Sequence, residues 1–389
     1  MSLVLPFDII ALIIDIVGEN KDTNLLKELA LVSHYFLQIC RKHLFATVEL
    51  HDAVPDYNIA SSKKGFVKLL QSRPDVAKYI RKLTYKVGRN DDDDHLLSPI
   101  LPDLLPIFSR LNCLTINASR REWNTLDSSL TSAFLHLMHL PTIYHIDLSY
   151  IQNFPISCLS PSVNLHRLDI SNMLEEHGSP EIVMEMMPKI RELNTSSSSH
   201  LTTKLLRAKR QDGRPAFNFM DLRRLSMSFT DFEDDWSVRY LLQNTKLLER
   251  LYLSVDYDKS MVGLLSPSAR TLKVLDLSVP LWDGSVNLGG ICEELEAIAG
   301  HNMLEALSFE VGIVFSVTVD FVGSIMQKVE NVLVKPGWST LSQVSFKLLL
   351  TYDSRDLCEP LQSLPDKYLS HLSKLESVTF NYSASLYEF

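Results

Sequence analysis

One short string recurs along most of this chain and limits what it can become. Its core is L-x-x-L-x-L, with other apolar residues admitted. Copies begin at Ile80, Leu111, Ile143, Leu165, Ile190, Leu222, Leu248, Leu272, Leu304, Leu341 and Leu375. The middle copies are nearly identical: His145-Ile-Asp-Leu-Ser, Arg167-Leu-Asp-Ile-Ser and Val274-Leu-Asp-Leu-Ser. The x-L-x-L part alternates as a half-buried strand does. Helical stretches fall between copies, at residues 126–138, 180–187, 236–243, 291–299 and 321–329. Strand, helix, strand at a steady period gives a parallel sheet with helices on its other side. No single unit of this kind can bury its apolar edge, so each is stable only when stacked on its neighbours.

Alternation also fixes what the strands show to the outside. The position before the second repeat aliphatic holds His145, Arg167, Glu192, Arg224 and Arg250. The position between the paired aliphatics holds Asp147, Asp169, Asn194, Ser226, Tyr252 and Asp276. In a stacked array these line the open face of the sheet, the surface such arrays use for partners. Arg167, Arg224, Arg250 and Tyr252 are the candidates for contact, since Arg and Tyr are enriched where interfaces carry their energy. Glu192 lies between Arg167 and Arg224 and partly neutralises the strip.

The first 50 residues follow a different rule. Three helices fit: one opened by Pro6 and Asp8 and closed near Gly18, a second capped by Asp22, a third capped by Ser33. The first helix is apolar almost all round. Ile9, Leu12, Ile13 and Ile16 form one stripe; Ile10, Ile14 and Val17 form another. Such a helix needs cover on both sides, and a segment this small cannot supply it alone. The second covering surface belongs either to another chain or to the rest of this one.

The order of these elements resembles an F-box. Leu5-Pro6-Phe7-Asp8 precedes the paired-aliphatic helix, then come Leu26, Leu29, Val32 and Ser33, and an aromatic third helix closes at Leu44-Phe45. Phe45 stands where the family often has Trp, and Ser33 where it often has Cys. The resemblance implies docking to the Skp-type linker of a cullin ubiquitin ligase, with Leu5, Pro6, Ile9, Ile13, Leu26, Leu29 and Val32 in or beneath the contact. The later repeats look like leucine-rich repeats of the ribonuclease-inhibitor type. Their spacing of about 22 to about 37 residues is looser than the usual 20–29, and the Asn or Cys after the strand is mostly missing.

Together these resemble a class of substrate adaptors numerous in fungi. The expected fold is α/β: a small all-α F-box module at 1–50, a linker and short helix at 51–75, and a leucine-rich-repeat-like solenoid with a curved parallel sheet at 76–389. The resemblance implies a non-catalytic adaptor whose partners are the linker, through it a cullin, and a protein target held by the repeats. A scaffold uncoupled from ubiquitin transfer would read the same way.

Motifs of enzyme chemistry are missing from the string. It has no phosphate-cradling Gly-x-x-x-x-Gly-Lys-Ser/Thr, no Gly-x-Gly-x-x-Gly, no His-Glu-x-x-His and no Gly-x-Ser-x-Gly. No cofactor is expected. His145, Asp147 and Asp169 could form an acid–base or metal cluster, or simply be solvated strand residues. The five cysteines are scattered without a Cys-x-x-Cys pair, which reads as buried small apolar groups and no zinc or disulfide framework. A net charge of -9 argues against nonspecific nucleic-acid binding. Residues 1–17 are apolar but carry Asp8 and Asp15 and lack a basic leading region, and no apolar run is long enough to span a membrane. The expectation is a cytosolic or nuclear chain. Two charge runs, residues 91–94 and 204–214, read as solvated loops or partner contacts.

Overall fold

The computed structural model describes residues 6–51, 59–88, 108–159, 161–173, 183–184, 188–196, 198–210, 212–229, 232–255, 261–281, 290–313, 317–351 and 357–386. The chain forms two compact units, residues 1–188 with 208–216 and residues 189–207 with 217–389.

The first unit opens with three helices: α1 (Phe7–Glu19), α2 (Thr23–Val32) and α3 (His34–Leu44). The caps read from the sequence are in place. Asp22 accepts the Leu25 N–H at 3.0 Å, and Ser33 accepts that of Phe36 at 3.3 Å. Gly18 does not end α1, which runs on to Glu19. Its role is close approach: a Cβ there would collide with the His43 ring of α3. That ring is held by Asp15 at 2.7 Å, and Lys42 meets the same carboxylate at 2.6 Å. The reversal after α1 is made instead at Lys21, with φ 58°.

The sheet starts earlier than the repeated string indicates. Directly after α3 comes β1 (Thr47–His51), parallel to β2 (Lys82–Lys86) with Thr47 opposite Lys82. Between them stand α4 (Ile59–Ser72) and a 3₁₀ turn at Pro74–Tyr79. Then follow β3 (Cys113–Glu122), α5 (Ser128–Met138), β4 (His145–Gln152) and β5 (Arg167–Ser171). The five strands lie side by side in chain order, all parallel. Repeat aliphatics stack in register as Leu83, Leu114, Ile146 and Leu168, and behind them Tyr85, Ile116, Leu148 and Ile170. All are essentially inaccessible. Phe134 of α5 closes on this layer, 5.1 Å edge-on from Tyr85, so the helix covers the apolar face and leaves the other open.

Part of the expected helix at 180–187 is instead a strand. Val183–Met184 (β6) pairs with Lys209–Arg210 (β8), because the neighbouring extended segment satisfies its backbone groups. The basic stretch at 204–214 is therefore built into regular structure. Arg210 and Arg214 close a tight turn around Asp212 and Gly213. The acidic run at 91–94 lies outside the described residues.

Among the described residues the second unit carries seven parallel strands, β7 (Glu192–Ser196), β9 (Arg224–Phe229), β10 (Arg250–Val255), β11 (Val274–Leu281), β12 (Ala306–Ile313), β13 (Gln343–Leu350) and β14 (Thr379–Leu386). Its helices include α6 (Ser199–Arg207), α7 (Phe232–Asn244), α8 (Ile291–Ile298), α9 (Val319–Leu333), α10 (Cys358–Gln362) and α11 (Leu364–Tyr368). Arg207 of α6 lies over the Trp236 ring of α7 at 4.8 Å. Leu225, Leu251, Leu275, Leu307 and Val344 form one inner row and end at Phe380.

Each part of L-x-x-L has a physical job. The first aliphatic closes a turn by donating three residues back, as Ile80 does to Ala77 and Leu222 to Phe219. The two residues after it direct their N–H groups at one carbonyl of the preceding unit. Asn112 and Cys113 both donate to Arg81, Glu249 and Arg250 both to Arg223, Glu305 and Ala306 both to Lys273. The second aliphatic is the first inward residue of the strand.

Two buried carboxylates lock the helical side of the second unit. Glu294 of α8, 1% exposed, accepts the N–H groups of Gly263, Leu265 and Ser266 at 2.5, 2.5 and 3.1 Å. Glu330 of α9 accepts those of His371 and Leu372 at 2.8 and 3.1 Å.

Candidate functional site

The three-helix module has a small core. Ile14, Leu26 and Cys40 are buried at its centre, with Ile10, Val17, Leu29 and Phe36 packed round them. Only one stripe of α1 is used this way. The other stays in solvent: Ile9 is 43% exposed, Leu12 56%, Ile13 46% and Ile16 50%. Phe7 at 65% extends the stripe at the helix start, its ring 4.6 Å from Tyr35, and Leu31 (88%) and Val32 (64%) add apolar surface at the end of α2. Single exposed aliphatics are ordinary, but a run on one helix face marks an interaction surface. Of the residues expected at a linker contact, Pro6, Ile9, Ile13 and Val32 are exposed, while Leu26 and Leu29 belong to the core beneath. Leu5 lies outside the described residues. Phe7 and Leu31 were missed in the sequence; Leu12 and Ile16 share the helical spacing of Ile9 and Ile13.

On the second unit the open face of the sheet presents Arg224 and Arg250 opposite one another, with Tyr252 two residues on. Arg224 is not free to act as a bare cation, since Glu192 stands 3.4 Å away. Arg250 lines an open cleft of about 540 Å³ with Asp276, Glu305, Ser308, Gln343 and Ser345. Burial raises the Asp276 carboxyl above the usual carboxylate range, and the charge of Arg250 partly offsets it. The charges alternate in sign, so this is a polar surface of mixed charge and not a basic strip.

On the first unit the open face holds a hydrogen-bonded chain. Cys113 Sγ is 3.1 Å from His145 Nδ1, and His145 Nε2 is 2.8 Å from Asp169 Oδ2. Arg167 also binds Asp169, at 2.9 Å, which removes Arg167 from the cations available to a partner. Thr115 donates to Asp147 at 3.3 Å. Burial and then the nearby Asp169 charge lift the Asp147 carboxyl, whereas the Asp169 carboxyl, pushed up by burial, is held below its ordinary value by His145 and Arg167. His145, Asp147 and Asp169 thus do come together, and Cys113 joins them; the sequence signal for it was its place one repeat before His145. Among the described residues no three His, Cys, Asp or Glu side chains converge as a metal ligand set. All five cysteines are free thiols. Among the described residues no helix is long and apolar enough to cross a membrane. A second cleft, of about 690 Å³, is lined by Asn117, Ser119, Arg120 and Tyr150. The last three have left-handed φ of 50°, 72° and 55°. No known protein-family profile matches the chain, and no curated protein matches it either.

Proposed function

We propose that this chain is a substrate-recognition adaptor of a Skp–cullin–F-box ubiquitin ligase. In this reading α1–α3 are the F-box, the sheets are degenerate leucine-rich repeats, and the linker is a Skp-type protein that recruits a cullin. The observation that carries it is the apolar stripe of Ile9, Leu12, Ile13 and Ile16, left in solvent by a module whose core is already complete. A helix with that much exposed aliphatic surface is stable in water but gains from a partner helix laid along it. The open faces of the sheets, mixed in charge and carrying Arg224, Arg250 and Tyr252, would hold the target. The adaptor takes no covalent part in the transfer; it raises the rate by holding target and enzyme together. Affinity purification of the full chain tests this: a Skp-type linker and a cullin come down with it, and both are lost when the stripe is charged. Recovery of targets without a cullin would leave an interaction scaffold instead.

A further inference from the structure

The geometry points to Cys113 as an oxidisable thiol, converted to a sulfenic acid by hydrogen peroxide, with His145 as proton donor to the leaving oxygen. Three successive parallel strands supply the groups. Cys113, His145 and Arg167 are register partners on β3, β4 and β5, and Asp169 lies two residues beyond Arg167. Cys113 Sγ meets His145 Nδ1 at 3.1 Å, and the other ring nitrogen is fixed by Asp169 at 2.8 Å. A nucleophile, a proton-transfer group and a third group orienting it is the arrangement that activates thiols.

The electrostatics run the same way. Burial works against a charge on His145, but its hydrogen bonds to Asp169 and Cys113 outweigh that and raise its pKa to about 9. The ring is an imidazolium at neutral pH, with Nδ1–H directed at the sulfur. A proton held there is placed for delivery to the oxygen that leaves when the sulfur attacks. Lys82 on β2 is in register with Cys113 from the other side. Asp147, Asp169 and Arg167 complete the charged groups facing the pair, and Arg167 holds Asp169 at 2.9 Å.

Cys113 is 6% exposed, so the reagent must be small. In the step the thiolate attacks one peroxide oxygen. An S–O bond forms, the O–O bond breaks, and the departing hydroxide takes the His145 proton and leaves as water. Sulfur is oxidised by two electrons, peroxide is reduced by two, and the ring ends neutral. Three of the other thiols are set against this chemistry. Burial raises the pKa of Cys40 and of Cys158, and burial with the Glu293 charge pushes Cys292 to about 11.

The test is timed oxidation of the full chain by hydrogen peroxide, from about pH 5.5 to about pH 8, below the ordinary thiol pKa. Sulfenic acid is trapped with dimedone and each cysteine is quantified by peptide mass spectrometry. Cys113 is expected to react ahead of the more exposed Cys158 and Cys292. His145→Asn should slow Cys113 on the order of a hundredfold, the lower end for a positioned proton donor, and change the pH profile of its rate. Circular dichroism checks that the variant is folded; if it is not, the wild-type ratio of Cys113 to Cys158 decides alone. Equal rates for these two cysteines overturn the proposal. So does a folded His145→Asn chain whose Cys113 keeps the wild-type rate, or loses rate without any change in pH profile.

Discussion

Ile13 and Ile14 are adjacent in α1 but one lies in solvent and the other in the core, which makes a charge at each position a direct test of the docking surface. Ile13 is 46% exposed and Ile14 1%. In the free chain Ile13→Asp disturbs little, about 0.5 kcal/mol or less, as for other surface changes. In a complex that covers the stripe, the variant forfeits the remaining burial of roughly half a side chain. That is about 1 kcal/mol, since complete burial of an Ile is worth about 1.5–3 kcal/mol. The carboxylate must also leave water, and its cheapest escape is to bind a proton. Moving from an ordinary pKa of about 3.9 to neutral pH costs about 4 kcal/mol. The two sum to about 5 kcal/mol, or a thousandfold to ten-thousandfold in Kd. Ile14→Asp acts differently: it puts a charge between Leu26 and Cys40 and should melt the module, costing more than about 4 kcal/mol. Isothermal titration of a purified Skp-type linker, with circular dichroism melts of both variants, reads the two effects separately. If folded Ile13→Asp binds the linker with unchanged Kd, the stripe is not the docking surface and the proposed function falls with it.

Leu251→Asp, at a fully buried position near the start of β10, should unfold the second unit, costing at least the roughly 2–5 kcal/mol of a Leu→Ala change; an unchanged thermal melt would contradict its inward register. Glu294→Gln keeps the shape but turns an amide N–H₂ toward backbone N–H groups, and should cost about 1–3 kcal/mol in urea unfolding. His145 has its folded pKa raised, so its contribution is fully present below about pH 6.5 and fades as pH rises through about 9. Wild type should therefore lose up to about 3 kcal/mol over that window relative to His145→Asn, measured as the difference of their melts; parallel curves would refute the buried ion pair. Arg224→Glu with Arg250→Glu should reduce target capture and leave linker binding intact; an unchanged set of captured proteins, scored by mass spectrometry, would move the target site off this face.

The inward register of the strands was legible because alternation is a local property. Leu251 and Leu253 must share a face whatever their neighbours do. The caps at Asp22 and Ser33 were legible for the same reason. Three things were not. β1 has no repeat aliphatic ahead of it, because α3 does the work that the closing turn does elsewhere. Val183 and Met184 lie in a stretch whose residue types favour a helix, and they form a strand where residues 209–210 offer them a partner. Buried Glu294 looks like a solvated helix residue; what makes it structural is a turn about thirty positions away in the chain, a separation within which loop closure is cheap. At the candidate sites, spacing found the stripe of α1 but could not say which stripe the module keeps. The charges on the open faces were read correctly as outward, but their mutual pairing, Arg224 with Glu192 and Arg167 with Asp169, depends on side-chain reach across strands.

The junction between α3 and the first sheet has a mechanical consequence. Only Phe45 and Ala46 separate α3 from β1, and the Ala46 carbonyl accepts the N–H groups of both Arg81 and Lys82, at 2.8 and 2.9 Å. The Tyr79 hydroxyl reaches back to Gln38 of α3 at 3.4 Å. The helices and the first strands are therefore joined as a bracket and not as a tether. A tether lets its cargo sweep a volume, and its effective concentration is spread over everything within reach. A bracket concentrates its cargo on one bearing and removes it from all others. A protein held on the first sheet, with α1–α3 docked elsewhere, would present the same few lysines on every encounter, and the choice among them would be made by the angle of this joint.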